Sequence, residues 1–311
     1  MSTTPYPVDQ ITTVQDDTSS DSPTAIPPSG PIIEPTKSLA NKPFLKWAGG
    51  KTRLLKRLLP LVPETFVNYH EPFVGGGAMY FALRTRVTER SFLSDLNEDL
   101  INVWLTMQKP NKEFENALSS LLERDSKEFY YEVRAQQPKS LAEQAARFVY
   151  LNQTSWNGLW RVNAKGEFNV PWGQRPFRSF SPDQLSLIRS SLVDTEIRNE
   201  DFRSSLSRAR PGDFVYLDPP YLPLSDTSKF FFYTQKRFRQ PDLEELANHC
   251  RWLSMRGVSW MLSNRDTPLV RTLFSESEII GITTHRSVAA QNGVDRESRK
   301  SPEVIIRGGY A

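Results

Sequence analysis

Cysteine is nearly absent. Cys250 is the only one in 311 residues, so no intramolecular disulfide can form, which fits a reducing cytoplasm. Histidine is almost as scarce. His70, His249 and His285 are scattered without metal-ligand spacing, and no metal site is expected. No uncharged apolar run approaches the roughly 18–20 residues that a membrane span requires. The N-terminus lacks the basic start and apolar stretch of a secretory signal. No membrane association is expected, and nothing points to an obligate protein partner. The sequon Asn152-Gln153-Thr154 then meets no glycosylating compartment. Neither sign of charge dominates, with 39 Lys and Arg against 36 Asp and Glu. The balance is uneven along the chain. Residues 1–42 hold five acids (Asp9, Asp16, Asp17, Asp21, Glu34) and two bases (Lys37, Lys42), leaving 37 bases against 31 acids in the remainder. A mildly basic body suits a polyanionic partner without proving one.

Residues 1–40 are rich in Ser, Thr and Pro and poor in large apolar groups. Such a segment buries too little surface to offset its ordering entropy, and it reads as a disordered tail. From Pro43 onward short apolar runs alternate with helical patterns. The strand candidates are Val67–Phe73, Ser91–Ser94, Phe214–Leu217, Val258–Ser263, Glu278–Ile282 and Val304–Arg307. The helix candidates include 52–59, 78–86, 97–107, 141–152, 241–256 and 267–275. This alternation argues for an open α/β sheet with ligands at the carboxyl ends of its strands. Between about 106 and 205 the rhythm breaks into a helical stretch followed by one rich in aromatic, Arg, Asn and Gly residues. That stretch reads as an insertion of a different kind.

Three motifs carry chemistry. Glu71-Pro72-Phe73-Val74-Gly75-Gly76-Gly77-Ala78 follows a strand and opens a helix. Its glycines permit a sharp turn and close approach to a ligand. Asp95 lies 20 residues beyond Gly75, after the next strand, where a carboxylate can accept from ribose hydroxyls. A helix cap is the plainer role for Ser94-Asp95-Leu96-Asn97. Asp218-Pro219-Pro220-Tyr221 follows the apolar run Phe214–Leu217. Its prolines fix a rigid turn. Beside them a carboxylate can accept from an exocyclic amine while Tyr221 stacks on a planar ring, which suits methyl transfer to an aromatic amino nitrogen. Asn157–Pro171 reads as a loop and β-hairpin turning at Lys165-Gly166. Around it Arg147, Arg161, Lys165, Arg175 and Arg178 interleave with Trp156, Trp160, Phe168, Trp172 and Phe177, a mixture suited to phosphate contact, base readout and stacking. A solvated face over a small aromatic core is the plainer reading. Gly50-Lys51-Thr52 imitates a phosphate-binding loop, but Leu45 stands where that motif needs glycine.

Taken together these blocks resemble the Dam-type, alpha-group DNA adenine-N6 methyltransferases, in the family's order from Phe44 to Ile306. The matching segments are Phe44-Leu45-Lys46-Trp47-Ala48-Gly49-Gly50-Lys51, the glycine loop, Leu93–Asn97, Tyr150-Leu151-Asn152 with Asn157–Gly173, and Asp218–Ser225 with Phe230, Tyr233 and Phe238. Arg286-Ser287 with Asn292-Gly293 and Pro302-Glu303-Val304-Ile305-Ile306 close the match. The resemblance implies a Rossmann-like class I methyltransferase sheet over 41–105 and 206–311, with a helical and β-hairpin target-recognition domain inserted at 106–205. It implies S-adenosyl-L-methionine as cofactor, held by Trp47, Lys51, Phe73, Gly75, Gly77, Asp95 and Asp218. Asp218, the carbonyl of Pro219 and Tyr221 would act on a flipped adenine. Double-stranded DNA would be contacted by Lys46, Trp156, Asn157, Leu159, Arg161, Asn163 and Pro171, with GATC as the target and Lys46, Leu159, Arg161 and Pro171 reading it. Trp156 stands where the family usually has tyrosine. The implied setting is a cytoplasmic, nucleoid-associated enzyme of bacterial type. Other readings are methylation of a protein glutamine or an RNA base, a DNA-binding protein without catalysis, and a nucleotide-binding dehydrogenase. The N-terminal block, the intact Asp-Pro-Pro-Tyr turn and the glycine spacing argue against them in turn.

Overall fold

A computed structural model describes residues 42–124, 126–163, 165–222, 238–285 and 300–310. The 1–40 tail, Pro223–Ser225, Phe230, Tyr233, Arg286-Ser287 and Asn292-Gly293 lie outside the described residues. In chain order the elements are α1 (Leu55–Leu58), β1 (Tyr69–Glu71), α2 (Ala78–Leu83), β2 (Ser91–Asp95), α3 (Glu98–Gln108), α4 (Lys112–Leu122), α5 (Lys127–Ala135), α6 (Leu141–Thr154) and α7 (Pro182–Ser191). There follow β3 (Thr195–Asn199), α8 (Phe202–Leu206), β4 (Phe214–Leu217), α9 (Gln240–Met255), β5 (Ser259–Arg265), α10 (Pro268–Leu273), β6 (Glu278–His285) and β7 (Lys300–Gly308).

The strands form one sheet in the order β3-β2-β1-β4-β5-β7-β6. The first five run parallel, and β7 lies antiparallel between β5 and β6. The fold is therefore the α/β class I methyltransferase fold that the resemblance implies. Central β4 is apolar throughout and buried at every position, as a parallel strand covered on both faces must be. Its side chains alternate between two cores. Phe214 and Tyr216 join Tyr69, Met261 and Ile305 beneath α2, α3 and α6. Val215 and Leu217 join Trp260, Leu262, Val304 and Ile306 beneath α8, α9 and α10. The order reverses between β1 and β4, and such a switch point opens a crevice at the carboxyl ends of the strands.

The helices between β2 and β3 start where the sequence supplies caps. The side chains of Asn97, Asn111, Ser126, Ser140 and Ser181 accept the amides of Leu100, Phe114, Phe129, Glu143 and Gln184, at the starts of α3 to α7.

Three expectations change. Residues 195–205, assigned to the insertion, contain β3, which pairs with β2 from Thr195↔Ser91 to Asn199↔Asp95. The sheet thus bounds the insertion between β2 and β3. The helix expected at 52–59 is one short turn flanked by 3-10 turns, with Pro60 in the second. The expected hairpin is reduced to single bridges, Val162↔Phe168 and Ser155↔Trp172, because its side chains pack inward on α6 instead of extending a sheet.

Candidate active site

The turn after β4 projects Asp218 into the crevice, where four groups converge. Lys51 Nζ donates to Oδ1 and Oδ2 of Asp218, both at 2.6 Å, and to the carbonyl of Gly49 at 2.9 Å. The side chains of Lys51 and Asp218 are 6% and 19% exposed, so the pair is shielded from solvent yet reachable from the crevice. Ser263, at the end of neighbouring β5, donates to Asp218 Oδ1 at 2.8 Å and lies 3.0 Å from the Tyr216 hydroxyl. Pro219 is buried and Pro220 exposed. The Tyr221 ring faces the same cluster, with Lys51 Nζ 5.3 Å from its centroid. Burial first, then the Asp218 charge, holds the Tyr221 phenol far above its usual range. It therefore stays protonated and donates to Glu303 Oε2 at 3.2 Å.

The glycine loop runs beside this cluster. Gly75 and Gly77 have φ of +47° and +70°, the left-handed region that favours glycine. Close approach is also required, but by the protein's own tryptophans. A Cβ on Gly75 would lie 2.4 Å from Trp47 Cδ1, and one on Gly77 would lie 2.5 Å from Trp104 Cη2. Trp104 Nε1 donates to the Gly75 carbonyl at 3.1 Å, fixing the loop from beneath. Asp95 Oδ2 accepts the Gly75 amide at 3.1 Å and Oδ1 the Asn97 amide at 3.0 Å. Asn97 itself caps α3, so Asp95 belongs to the loop's scaffold as well as to the crevice rim. Loss of solvation raises its carboxyl to about 6 against the pull of those amides.

Sequence reasoning left Glu71, Asn199 and Ser263 of this region without a role and gave Phe73 only that of a cofactor contact. Glu71, buried at the end of β1, accepts from the Tyr69 hydroxyl at 2.8 Å and from the Tyr80 amide in the first turn of α2 at 3.0 Å. Burial pushes its carboxyl up to about 8, and Asp218 and Asp95 add to the rise. Phe73 packs on Phe202 and Phe238, with ring centroids 5.6 and 6.0 Å away. The Asn199 side-chain amide donates to the Asp95 carbonyl at 2.9 Å. Ser263 follows Leu262, which pairs with Leu217, so it neighbours Asp218; only the sheet register reveals this.

The residues expected to contact DNA divide into two groups. Lys46 is exposed, Trp156 is 48% exposed, and Asn157 and Pro171 are exposed. Asn157 has φ +56°, and the Trp156 amide is tied to the Pro171 carbonyl at 2.9 Å. The other group is engaged internally. Leu159 is 8% exposed. Arg161 Nε donates to Asn169 Oδ1 at 2.6 Å. Asn163 organises its turn by accepting from the amides of Lys165 and Glu167. Trp160 is buried, stacked on Phe148 of α6 with centroids 3.7 Å apart. Partial desolvation, then the charge of Arg175, lowers the exposed Lys46 ammonium, so two cations share this corner of the surface.

The short segment 46–51 joins the two regions. Lys51 reaches Asp218 at one end. At the other, the buried Asn152 side chain accepts the Lys46 amide at 2.9 Å and donates to the Lys46 carbonyl at 2.7 Å. Asn152 is fully buried, so its sequon is inaccessible as it stands. We expect Asn152→Ala to orphan two backbone groups at about 1–3 kcal/mol each. The melting temperature should then fall by roughly 5–15 °C, which scanning calorimetry would measure. An unchanged melting temperature would show that this clamp is replaceable.

A carboxylate, a proline-fixed turn and an aromatic face meet beside a glycine loop at the switch point of this sheet. Residues 47–288 match the family described as D12 class N6 adenine-specific DNA methyltransferase. The chain belongs to that family. The resemblance read from the sequence is thereby borne out, and the protein is an adenine-specific DNA methyltransferase. Similar curated proteins agree. Type II methyltransferase M1.LlaDCHI of Lactococcus lactis subsp. cremoris is 35% identical over 275 residues, covering 85% of this chain and 94% of that protein. Type II methyltransferase M.MjaIII of Methanocaldococcus jannaschii is 39% identical over 242 residues, covering 72% and 84%. The DNA adenine methylase of Escherichia coli K12 is 34% identical over 264 residues, covering 83% and 92%. Among the described residues no helix is long and apolar enough to cross a membrane, and no group of His, Cys, Asp and Glu could hold a metal ion.

Proposed function

We propose that this methyltransferase moves a methyl group from S-adenosylmethionine to N6 of the adenine in GATC, on a base swung out of double-stranded DNA. The observation that carries this reading is the Lys51–Asp218–Ser263 network facing the Tyr221 ring. The lone pair of an adenine amine is conjugated into its ring and is a poor nucleophile. Asp218, held by Ser263, would accept one N–H of that amine, and the Pro219 carbonyl would accept the other. Two acceptors draw the nitrogen toward a tetrahedral geometry and stabilise the positive charge that develops on it. Tyr221 would hold the ring by stacking. The Asp218 side chain is only 19% exposed, and an enzyme acting on a base amine inside a duplex must first extrude the nucleotide, which is why base extrusion belongs to the reading.

The crevice suits S-adenosylmethionine by the chemistry of its donors. Asp95 at the end of β2 can accept from ribose hydroxyls. The Phe73, Phe202 and Phe238 rings offer apolar faces beside the glycine loop. Lys51 and the nearby carboxylates suit a ligand bearing both an acid and an amine. When bound, the cofactor supplies an electrophilic methyl on a sulfonium.

Target reading would rest on exposed Lys46 and Pro171 and on half-buried Arg161, near the end of α6. Asn169 holds the Arg161 guanidinium in one orientation, and a fixed fork suits bidentate pairing with guanine O6 and N7. Leu159 would meet a thymine methyl only if its loop opened. Trp156, Asn157 and Asn163 would line the DNA approach, and α4 to α7 with the 155–173 loop would form the target-recognition unit. Methylation-sensitive digestion of DNA from a Dam-deficient host expressing the protein tests the sequence. GATC sites should be modified, and Arg161→Ala should relax discrimination at one base pair by roughly 1–3 kcal/mol. Protection of a different adenine site would end the GATC assignment and leave the reaction untouched.

A further inference from the structure

The block Pro302-Glu303-Val304-Ile305-Ile306 is part of the family resemblance, but neither the sequence reading nor the chemistry above gives it a task. Val304, Ile305 and Ile306 are core. Glu303 is only half-buried, within β7, directly opposite Arg265 at the end of β5. Both residues reach the turn that carries Tyr221. Arg265 Nη1 donates to the Leu222 carbonyl at 3.1 Å, and its guanidinium carbon lies 6.0 Å from the Tyr221 ring centroid. Glu303 Oε2 accepts the Tyr221 hydroxyl at 3.2 Å. Burial confines the ring, but at a turn its plane keeps some torsional freedom. A phenol tied to the antiparallel β5–β7 pair removes that freedom.

We propose that Glu303 is a positioning residue for the methyl transfer: by accepting the Tyr221 hydroxyl it sets the plane of the ring on which the target adenine stacks. The hydroxyl of Tyr221 then matters as much as its aromatic face. A ring used for stacking alone would work equally well as phenylalanine, whereas a ring anchored at its tip would not. Glu303 touches no reacting atom and works through the orientation of Tyr221. This inference rests on the reading that Tyr221 stacks on an extruded adenine.

The test is a double-mutant cycle on the full chain, with turnover measured at saturating S-adenosylmethionine and duplex. Glu303→Ala and Tyr221→Phe should each lower kcat by about 5-fold, the worth of one ordinary hydrogen bond. The double variant should lose no more than either alone, because both substitutions remove the same bond. Glu303→Gln, whose amide oxygen still accepts, should stay within about 2-fold of wild type and guards against misfolding of Glu303→Ala. Full activity of Tyr221→Phe, a multiplied loss of about 25-fold in the double variant, or a Glu303→Gln as impaired as Glu303→Ala would each overturn the proposal. A duplex with 2-aminopurine at the target position separates this from the underlying reading. No brightening with wild-type protein overturns base extrusion, whereas brightening together with multiplied losses overturns only the role of Glu303.

Discussion

Replacing Asp218 should stop methyl transfer more completely than any other single change in the crevice. Asp218→Asn keeps the shape and can still take the Ser263 hydrogen bond, but it loses the charge that balances the developing ammonium on adenine. Removing one such preorganised electrostatic contact costs about 10²–10³-fold in turnover. Asp218→Ala should be worse for a second reason. Lys51 is buried and directs its ammonium at both Asp218 oxygens. Taking away that partner leaves a nearly desolvated cation, a change that costs on the order of 3 kcal/mol for a shielded pair. Asp218→Ala should therefore melt earlier as well as fail to turn over; Asp218→Asn also leaves the Lys51 charge unbalanced but keeps one acceptor for it, so its melt should fall less than that of Asp218→Ala. Tritiated methyl incorporation into duplex and scanning calorimetry read the two effects separately. Near-wild-type incorporation by Asp218→Asn would remove Asp218 from the chemistry.

The second large effect belongs to a glycine. At Gly77 the backbone has φ +70°, and an added Cβ would lie 2.5 and 2.8 Å from Cη2 and Cζ2 of Trp104. The left-handed conformation alone costs a residue with a side chain roughly 1–2 kcal/mol. Overpacking a close-packed core adds about 1–3 kcal/mol. Trp104 cannot yield freely, because it is fully buried and its indole N–H is bonded to the Gly75 carbonyl. Any shift of the indole moves the loop that Asp95 grips. Gly77→Ala should thus lower the melting temperature by roughly 5–15 °C and weaken S-adenosylmethionine binding in calorimetry. Gly281→Ala serves as the control, since an added Cβ there meets nothing within 4 Å. A Gly77→Ala protein as stable as that control would show that Trp104 has room the packing does not suggest.

Much of the architecture was legible along the chain, for reasons that differ by element. β4 declared itself because a strand covered on both faces must be apolar at every position. α3 and α6 were legible as the helical patterns at 97–107 and 141–152, whereas α7 lay in a stretch read only by its aromatic, Arg, Asn and Gly content. β3 did not declare itself. Its residues Thr-Glu-Ile-Arg-Asn contain one large apolar side chain, because it is an edge strand with one neighbour, and charge at an edge is ordinary. The loop–hairpin at 155–173 left two readings open, a stacking surface for DNA and a solvated face over a small aromatic core. The second describes Trp160, stacked on Phe148, and Phe168, packed on Trp160, while Trp156 stays 48% exposed. Composition cannot tell an aromatic that faces DNA from one that faces α6.

By itself the sequence determined the kind of reaction and the local motifs proposed to perform it. The glycine loop, Asp95 and the Asp-Pro-Pro-Tyr turn are each local: a few adjacent residues set the backbone, and the spacing to a neighbouring strand does the rest. The tertiary structure alone decided how those parts are joined. Lys51 and Asp218 stand 167 residues apart and meet as a pair. Asn152 clamps the backbone of Lys46 from 106 residues away, and Glu303 holds a tyrosine 82 residues before it. Such contacts leave no trace in local propensity, because they depend on which strands neighbour one another in the sheet and on where each strand ends.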